Sequence, residues 1–148
     1  MSGTLFNRWD VAKQIITLLR ADSRLTGATI EPGWPGELNV TDRTIWIDEL
    51  DGPITYPFGE AGRKTRDDRY TVPFLVRVVD QPDLDATMAK LQEIVQVIDD
   101  TVANDPTAAA FDNVMHVLVE SIRMTALSTP DGHIGWAQVI VAPFARYL

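Results

Sequence analysis

The chain has 148 residues, no cysteine and a formal net charge of −8, from 13 Lys and Arg against 21 Asp and Glu. That length fits one domain with a hydrophobic core of its own. The missing cysteines exclude disulfides, thiolate metal sites and a cysteine nucleophile. The charge argues against sequence-independent duplex binding, which needs many Lys and Arg contacts to phosphate.

No basic segment followed by an apolar run opens the sequence, and no window approaches the ~20 apolar residues of a membrane span. The expectation is a soluble chain that stays in the cell that makes it. The lack of cysteine fits a reducing compartment.

The first element is a predicted helix over 8–21. Asn7 is the expected N-cap, and Asp10 falls in the first turn, where the dipole favours an acid. Leu5, Trp9, Ala12, Ile16 and Leu19 share one helical face. Val11, Ile15 and Leu18 form a second stripe beside it. So wide an arc calls for a large sheet or for another chain.

Residues 22–43 are broken by Gly27, Pro32, Gly33, Pro35 and Gly36, with a short extended piece at 28–31. Trp34 lies between two Gly and Pro pairs. It reads either as a ring packed over its loop or as an exposed anchor for a partner. Residues 44–50 alternate as a strand, with Ile45 and Ile47 against Trp46 and Asp48. Residues 52–68 hold two prolines and three glycines with too little apolar content for a packed element. A long flexible loop is expected there.

A strand over 70–79 follows, with Tyr70, Val72, Phe74, Val76 and Val78 on one face. Pro73 cannot donate to a ladder, so an edge or a bulge is expected at that point. The next helix, about 83–103, shows the clearest period in the chain: Leu84, Met88, Leu91, Val95, Ile98 and Val102. Val97 lies off that stripe, either exposed or buried in a contact. Asn104, Asp105 and Pro106 end the helix. Residues 107–112 suit a short helical turn.

Residues 114–126 and 134–144 read as a long hairpin around Thr129, Pro130, Asp131 and Gly132, with Pro at i+1 and Gly at i+3. Val117, Val119 and Leu127 alternate with Leu118, Ile122 and Met124, so both faces are partly apolar. A small antiparallel sheet with two apolar faces suggests a second cover, such as a neighbouring subunit. The fold class expected is α+β: one domain over 1–148, mainly antiparallel, with two main helices.

No catalytic or cofactor motif emerges. Gly59 to Thr65 has the flavour of a phosphate loop, but Arg63 separates Gly62 from Lys64 and the first glycine is too close. Asp48, Glu49 and Asp51 lack the spacing and distant Glu of a calcium loop. His116 and His133 are too few and too far apart for zinc; the first is expected packed or at an edge, the second facing solvent. Gly-x-Ser-x-Gly is absent. Asp99 and Asp100 sit about 100° apart on a helix and do not face each other. No enzyme activity, metal or cofactor is expected.

Two charged segments remain. Arg63, Lys64, Arg66 and Arg69 form a basic patch before the 70–79 strand. Eight acids against one base, Lys90, occupy 80–112. Such runs are ordinarily solvated faces; the functional alternative is a surface that must not hold DNA.

In order and texture the chain resembles the tail terminator (tail completion) proteins of long-tailed bacteriophages, the lambda-type family. The resemblance spans most of the chain and is carried by the 9–21 helix, the Arg69-Tyr70-Thr71-Val72-Pro73-Phe74-Leu75-Val76-Arg77-Val78 strand after a charged loop, the 84–102 helix and the closing strand over 136–144. It implies a structural virion protein that forms a hexameric ring at the head-proximal end of the tail. Such a ring stops tube polymerisation and provides the surface for head-tail joining. The implied partners are further copies of the chain, the major tail tube protein and a neck or head-completion protein. DNA would be passing cargo in the lumen, and no membrane is involved. Under this resemblance Arg63, Lys64, Arg66 and Arg69 are a docking loop. Asp85, Glu93, Asp99 and Asp100 are candidates to line the channel. The competing expectations are a neck adaptor and, from a different class, a small cytoplasmic α+β ligand-binding domain.

Overall fold

The computed structural model describes residues 7–56, 65–105 and 111–147, with the side chain of Leu38 excepted. The fold is α+β, with two long helices on one side of a mostly antiparallel seven-stranded sheet.

Helix α1 is Arg8–Ala21. Its buried face is Val11, Ala12, Ile15, Ile16 and Leu19. Trp9, expected inward, is 45 % exposed. At 100° per residue it lies about 90° from the centre of the buried arc, so the Val11 and Ile15 stripe displaces it. Asn7 occupies the cap position without making a side-chain cap bond. Instead its amide donates to Asn113 Oδ1 at 2.7 Å, and its own Oδ1 accepts from the Tyr147 hydroxyl at 2.7 Å. The helix start is thereby tied to the end of the last strand.

Strand β1 (Thr29–Glu31) runs parallel to β2 (Arg43–Ile47). β2 pairs antiparallel with β5 (Val72–Val78). β6 (Val114–Thr129) and β7 (Gly132–Tyr147) form the long hairpin around Pro130 and Asp131. The Thr129 hydroxyl closes that turn, donating to the Gly132 carbonyl at 2.9 Å and accepting from the Asp131 amide at 3.3 Å.

β7 organises the sheet. One of its edges carries β6. The other carries β5 opposite Gly135 to Val141 and then β4 (Arg66–Arg69) opposite Phe144 to Tyr147. β3 (Ile54–Thr55) pairs with β4 outside it. β3 and all but the last residue of β4 therefore lie inside the 52–68 stretch where no packed element was expected. Their signal is hidden because the residues they bury are acids: Asp67 and Asp68 are both buried. Hydrophobic periodicity cannot register a strand built on paired charges. Residues 57–64, the middle of that predicted loop, lie outside the described residues, as does most of the 107–112 turn.

Pro73 does not mark a free edge of the whole strand. Its carbonyl accepts from the Asp48 amide at 3.0 Å, one residue beyond the end of β2. A residue's N and C=O point to the same side of a strand. The missing donor therefore faces the place where β2 stops.

Helix α2 is Leu84–Asn104, capped by the Asp83 carboxylate, which accepts from the Ala86 amide at 2.7 Å. Thr87, Leu91, Ile94, Val95, Val97, Ile98 and Val102 are buried. Val97, off the predicted stripe, is in the core because α2 packs against both the sheet and α1. Leu84, on the stripe, is 40 % exposed at the first turn. The core lies between the helices and the sheet face of Ile45, Ile47, Val72, Phe74, Val76, Val78, Ala137, Val139 and Val141.

The hairpin faces differ from the simple alternation. Bulges interrupt β6 between Val114 and His116 and between Val119 and Ser121. One extra residue reverses the facing of everything beyond it. Ile122 and Met124, opposite Val139 and Ala137, thus join Val117 and Val119 on the helix side. Leu127, opposite Ile134, joins Leu118 on the other face.

Candidate assembly surfaces

The sheet has one covered face and one open face. Gly135 fixes which is which, since a Cβ there would meet Thr87 Cγ2 at 2.6 Å and Leu91 Cδ1 at 2.7 Å of α2. Alternation then puts Trp136, Gln138, Ile140, Ala142, Phe144 and Arg146 of β7 on the opposite face. Leu75 and Arg77 of β5, Trp46 of β2 and Leu118 of β6 are in register with them. Neither α1 nor α2 lies over this face.

Its best-covered part is an aromatic cluster. Trp34 packs edge-on against Trp46, with ring centroids 4.6 Å apart, and Trp46 against Trp136 at 6.2 Å. The Trp34 ring thus packs over the sheet while remaining 42 % exposed. The Arg77 guanidinium lies between Trp34 and Trp136, 5.7 and 5.8 Å from their centroids, and pairs with Glu37 at 3.1 Å. Farther along, a groove of about 390 Å³ is lined by Arg69, Tyr70, His116, Leu118, Ala142 and Phe144 among others. Arg69 stacks on the Phe144 ring at 3.9 Å. Leu118, Leu127 and Trp136 are exposed, as are Met115 and Ile122 on the same hairpin. On the open face, exposed Leu118, Leu127 and Trp136 lie on two adjacent strands, the kind of apolar surface that marks contact with another molecule.

The predicted basic patch divides. Arg63 and Lys64 fall outside the described residues. Arg66 and Arg69 sit at the two ends of β4 and point to opposite faces. Arg66 is opposite Tyr147, 5.6 Å from its ring, on the helix side. Arg69 is opposite Phe144, on the open side. Between them, Asp67 pairs with Arg146 at 2.7 Å, which holds its carboxyl below the usual carboxylate range. Asp68 is fully buried and receives the Arg8 guanidinium, whose Nε is 3.0 Å from both carboxylate oxygens and whose Nη2 donates to the Gly52 carbonyl at 2.9 Å. The hydrogen bond to Asp68 raises the Arg8 pKa further. This buried pair locks β4 to the start of α1, which sequence reasoning missed. Isolated Arg and Asp positions carry no signal that they meet.

The acidic candidates come together. Asp85, Glu93, Asp99 and Asp100 fall within an arc of about 120° on the outer side of α2. Asp100 receives Arg24 at 2.8 Å and Gln96 at 2.8 Å, and the Arg24 bond lowers its pKa. Glu93 pairs loosely with Lys90 at 3.4 Å. Asp85 and Asp99 have no ion-pair partner among the described residues.

Among the described residues no group of three or more His, Asp or Glu is placed to hold a metal ion. His116 packs against Phe144 at 5.4 Å with a buried, unpartnered Nδ1. His133, expected to face solvent, is half-buried at the far end of the hairpin, its Nδ1 3.0 Å from the Ser128 hydroxyl. No described helix is long and apolar enough to cross a membrane.

No protein family matches the chain, and no curated protein does. Among solved structures, a chain from the virion of a native gene transfer agent particle is similar in fold, with a TM-score of 0.55 at 13 % identity. The similarity covers 91 % of this chain and 93 % of that one, so the likeness runs end to end.

Proposed function

We propose that this chain is a structural protein of a phage-like virion that caps the head-proximal end of a tail tube as a ring of about six copies. Such a ring ends tube polymerisation and presents the surface on which the head is joined. The observation that carries the reading is the end-to-end likeness to a chain of a gene transfer agent virion, at nearly equal length. The open, aromatic-studded sheet face supports it, because a subunit with so much apolar surface outside its core is built for company.

In this reading the mechanism is binding. Arg63, Lys64 and Arg66, at and before the start of β4, dock on an acidic surface of the tube or the neck. DNA crosses the ring as cargo, and a net charge of −8 per copy opposes sticking to it.

Negative-stain microscopy of the purified protein, alone and mixed with its tube protein, tests the proposal. The expected result is a six-fold ring that seats on one end of the tube and halts its growth. A ring that ignores the tube and binds the portal side instead assigns the chain to the neck; a monomer with no effect on the tube removes the reading. Limited proteolysis tests the docking loop: cleavage at Arg63 to Arg66 should fall at least tenfold when the tube is present. Equal cleavage in both states argues against it.

A further inference from the structure

The open sheet face and the outer side of α2 carry charges of opposite sign that are unpaired among the described residues. The open sheet face has an apolar middle, with Leu118, Leu127 and Trp136 exposed, and carries Arg69 and Arg123, neither in an ion pair among the described residues. The outer side of α2, on the opposite surface of the two layers, carries Asp85, Glu93, Asp99 and Asp100. Between these acids lie Ala89, Gln92 and Gln96, which leave the helix surface low and polar. Its 21 residues make a rod about 30 Å long, and β7 gives the sheet an extent of about 50 Å. A helix of that length fits along such a face.

We propose that neighbouring copies pack head to tail, with the acidic outer side of α2 in one copy covering the open sheet face of the next. This rests on the ring reading and names its subunit contact. It gives the neighbour the acids that sequence alone offered to the channel. A contact between two different patches of one chain is heterologous, so it closes into a ring or runs on as a filament, and it cannot stop at a two-fold dimer. Opposite charges set the orientation, and burial of the apolar middle holds it.

Two sets of charge reversals test the contact. The first is Asp85→Lys, Glu93→Lys and Asp99→Lys together; the second is Arg69→Glu with Arg123→Glu. Circular dichroism checks that each variant stays folded. Sedimentation velocity then reads assembly. Each variant alone should associate roughly 100-fold more weakly than the parent, because like charges oppose across the contact. An equimolar mixture of the two should regain the parent's assembly, since alternating copies restore opposite charges at every contact. Parent-like mass in both single variants overturns the contact while leaving the ring reading standing. So does a mixture that fails to recover. A parent protein that remains monomeric at every concentration and does not seat on the tube overturns both.

Discussion

At the scale of single residues, the most consequential group is Arg8. Its guanidinium is the only ion-pair partner of the fully buried Asp68 among the described residues, and it reaches the Gly52 carbonyl as well. Removing one member of a buried pair leaves an uncompensated charge. Arg8→Ala is expected to cost about 3 kcal/mol in urea unfolding and to loosen β4 from α1. Tyr70 makes the opposite case. Its hydroxyl is buried without a hydrogen-bond partner, and burial raises its pKa well above the ordinary tyrosine value. Tyr70→Phe should stabilise by about 1 kcal/mol, since it removes an unsatisfied group and keeps the ring under Arg8. It should also flatten the loss of stability above pH ~10, where the unfolded tyrosine ionises and the folded one resists. Asp67 governs the acid side. Its folded pKa is depressed by Arg146, so its stabilising effect is present above the unfolded value near 3.8 and is lost as pH falls through the folded value. Arg146→Gln should weaken this acid dependence, read as the change in unfolding midpoint between pH 5 and pH 3.

At the scale of elements, the seat of α2 on β7 depends on Gly135. Gly135→Ala drives a methyl against Thr87 and Leu91 and should cost about 1–3 kcal/mol. Leu91→Ala should cost less in that background than in the parent, because the cavity it leaves accepts the added methyl. The elements that sequence revealed are those whose burial is apolar and regular: α1, β1, β2, β5, α2 and the hairpin, with boundaries within a few residues of those observed. β3 and β4 escaped because their pairing is held by charges and backbone rather than by an apolar alternation. The facing of the hairpin escaped because two single-residue bulges leave no mark in composition. The acids of α2 were legible as a group since helical spacing alone gathers them. The opposed facing of Arg66 and Arg69 was not, since it follows from a strand that apolar periodicity does not reveal.

For the whole molecule, the head-to-tail contact proposed above predicts assembly that is sensitive to salt, because it joins faces of opposite charge. Raising ionic strength from about 0.1 M to about 1 M shortens the screening length from about 10 Å to about 3 Å. The mean mass in sedimentation should therefore fall with added sodium chloride at fixed protein concentration. A mass that rises instead would point to a contact governed by the apolar middle alone.

The place of β7 in the chain has a further consequence, for the timing of folding. This strand is flanked by β5 and β4 on one edge and by β6 on the other, and it follows all three in sequence. The bond from the Asn7 backbone N–H to the Tyr147 hydroxyl spans 140 residues. During synthesis the earlier strands must therefore wait without their central partner, and loop-closure entropy must be met before that partner's contacts compensate it. Slow folding for its size is the natural outcome, with the open sheet face completed only when β7 is laid in. Under the proposed ring, a nascent chain so ordered would have no finished docking surface to offer, and association would wait until β7 is in place.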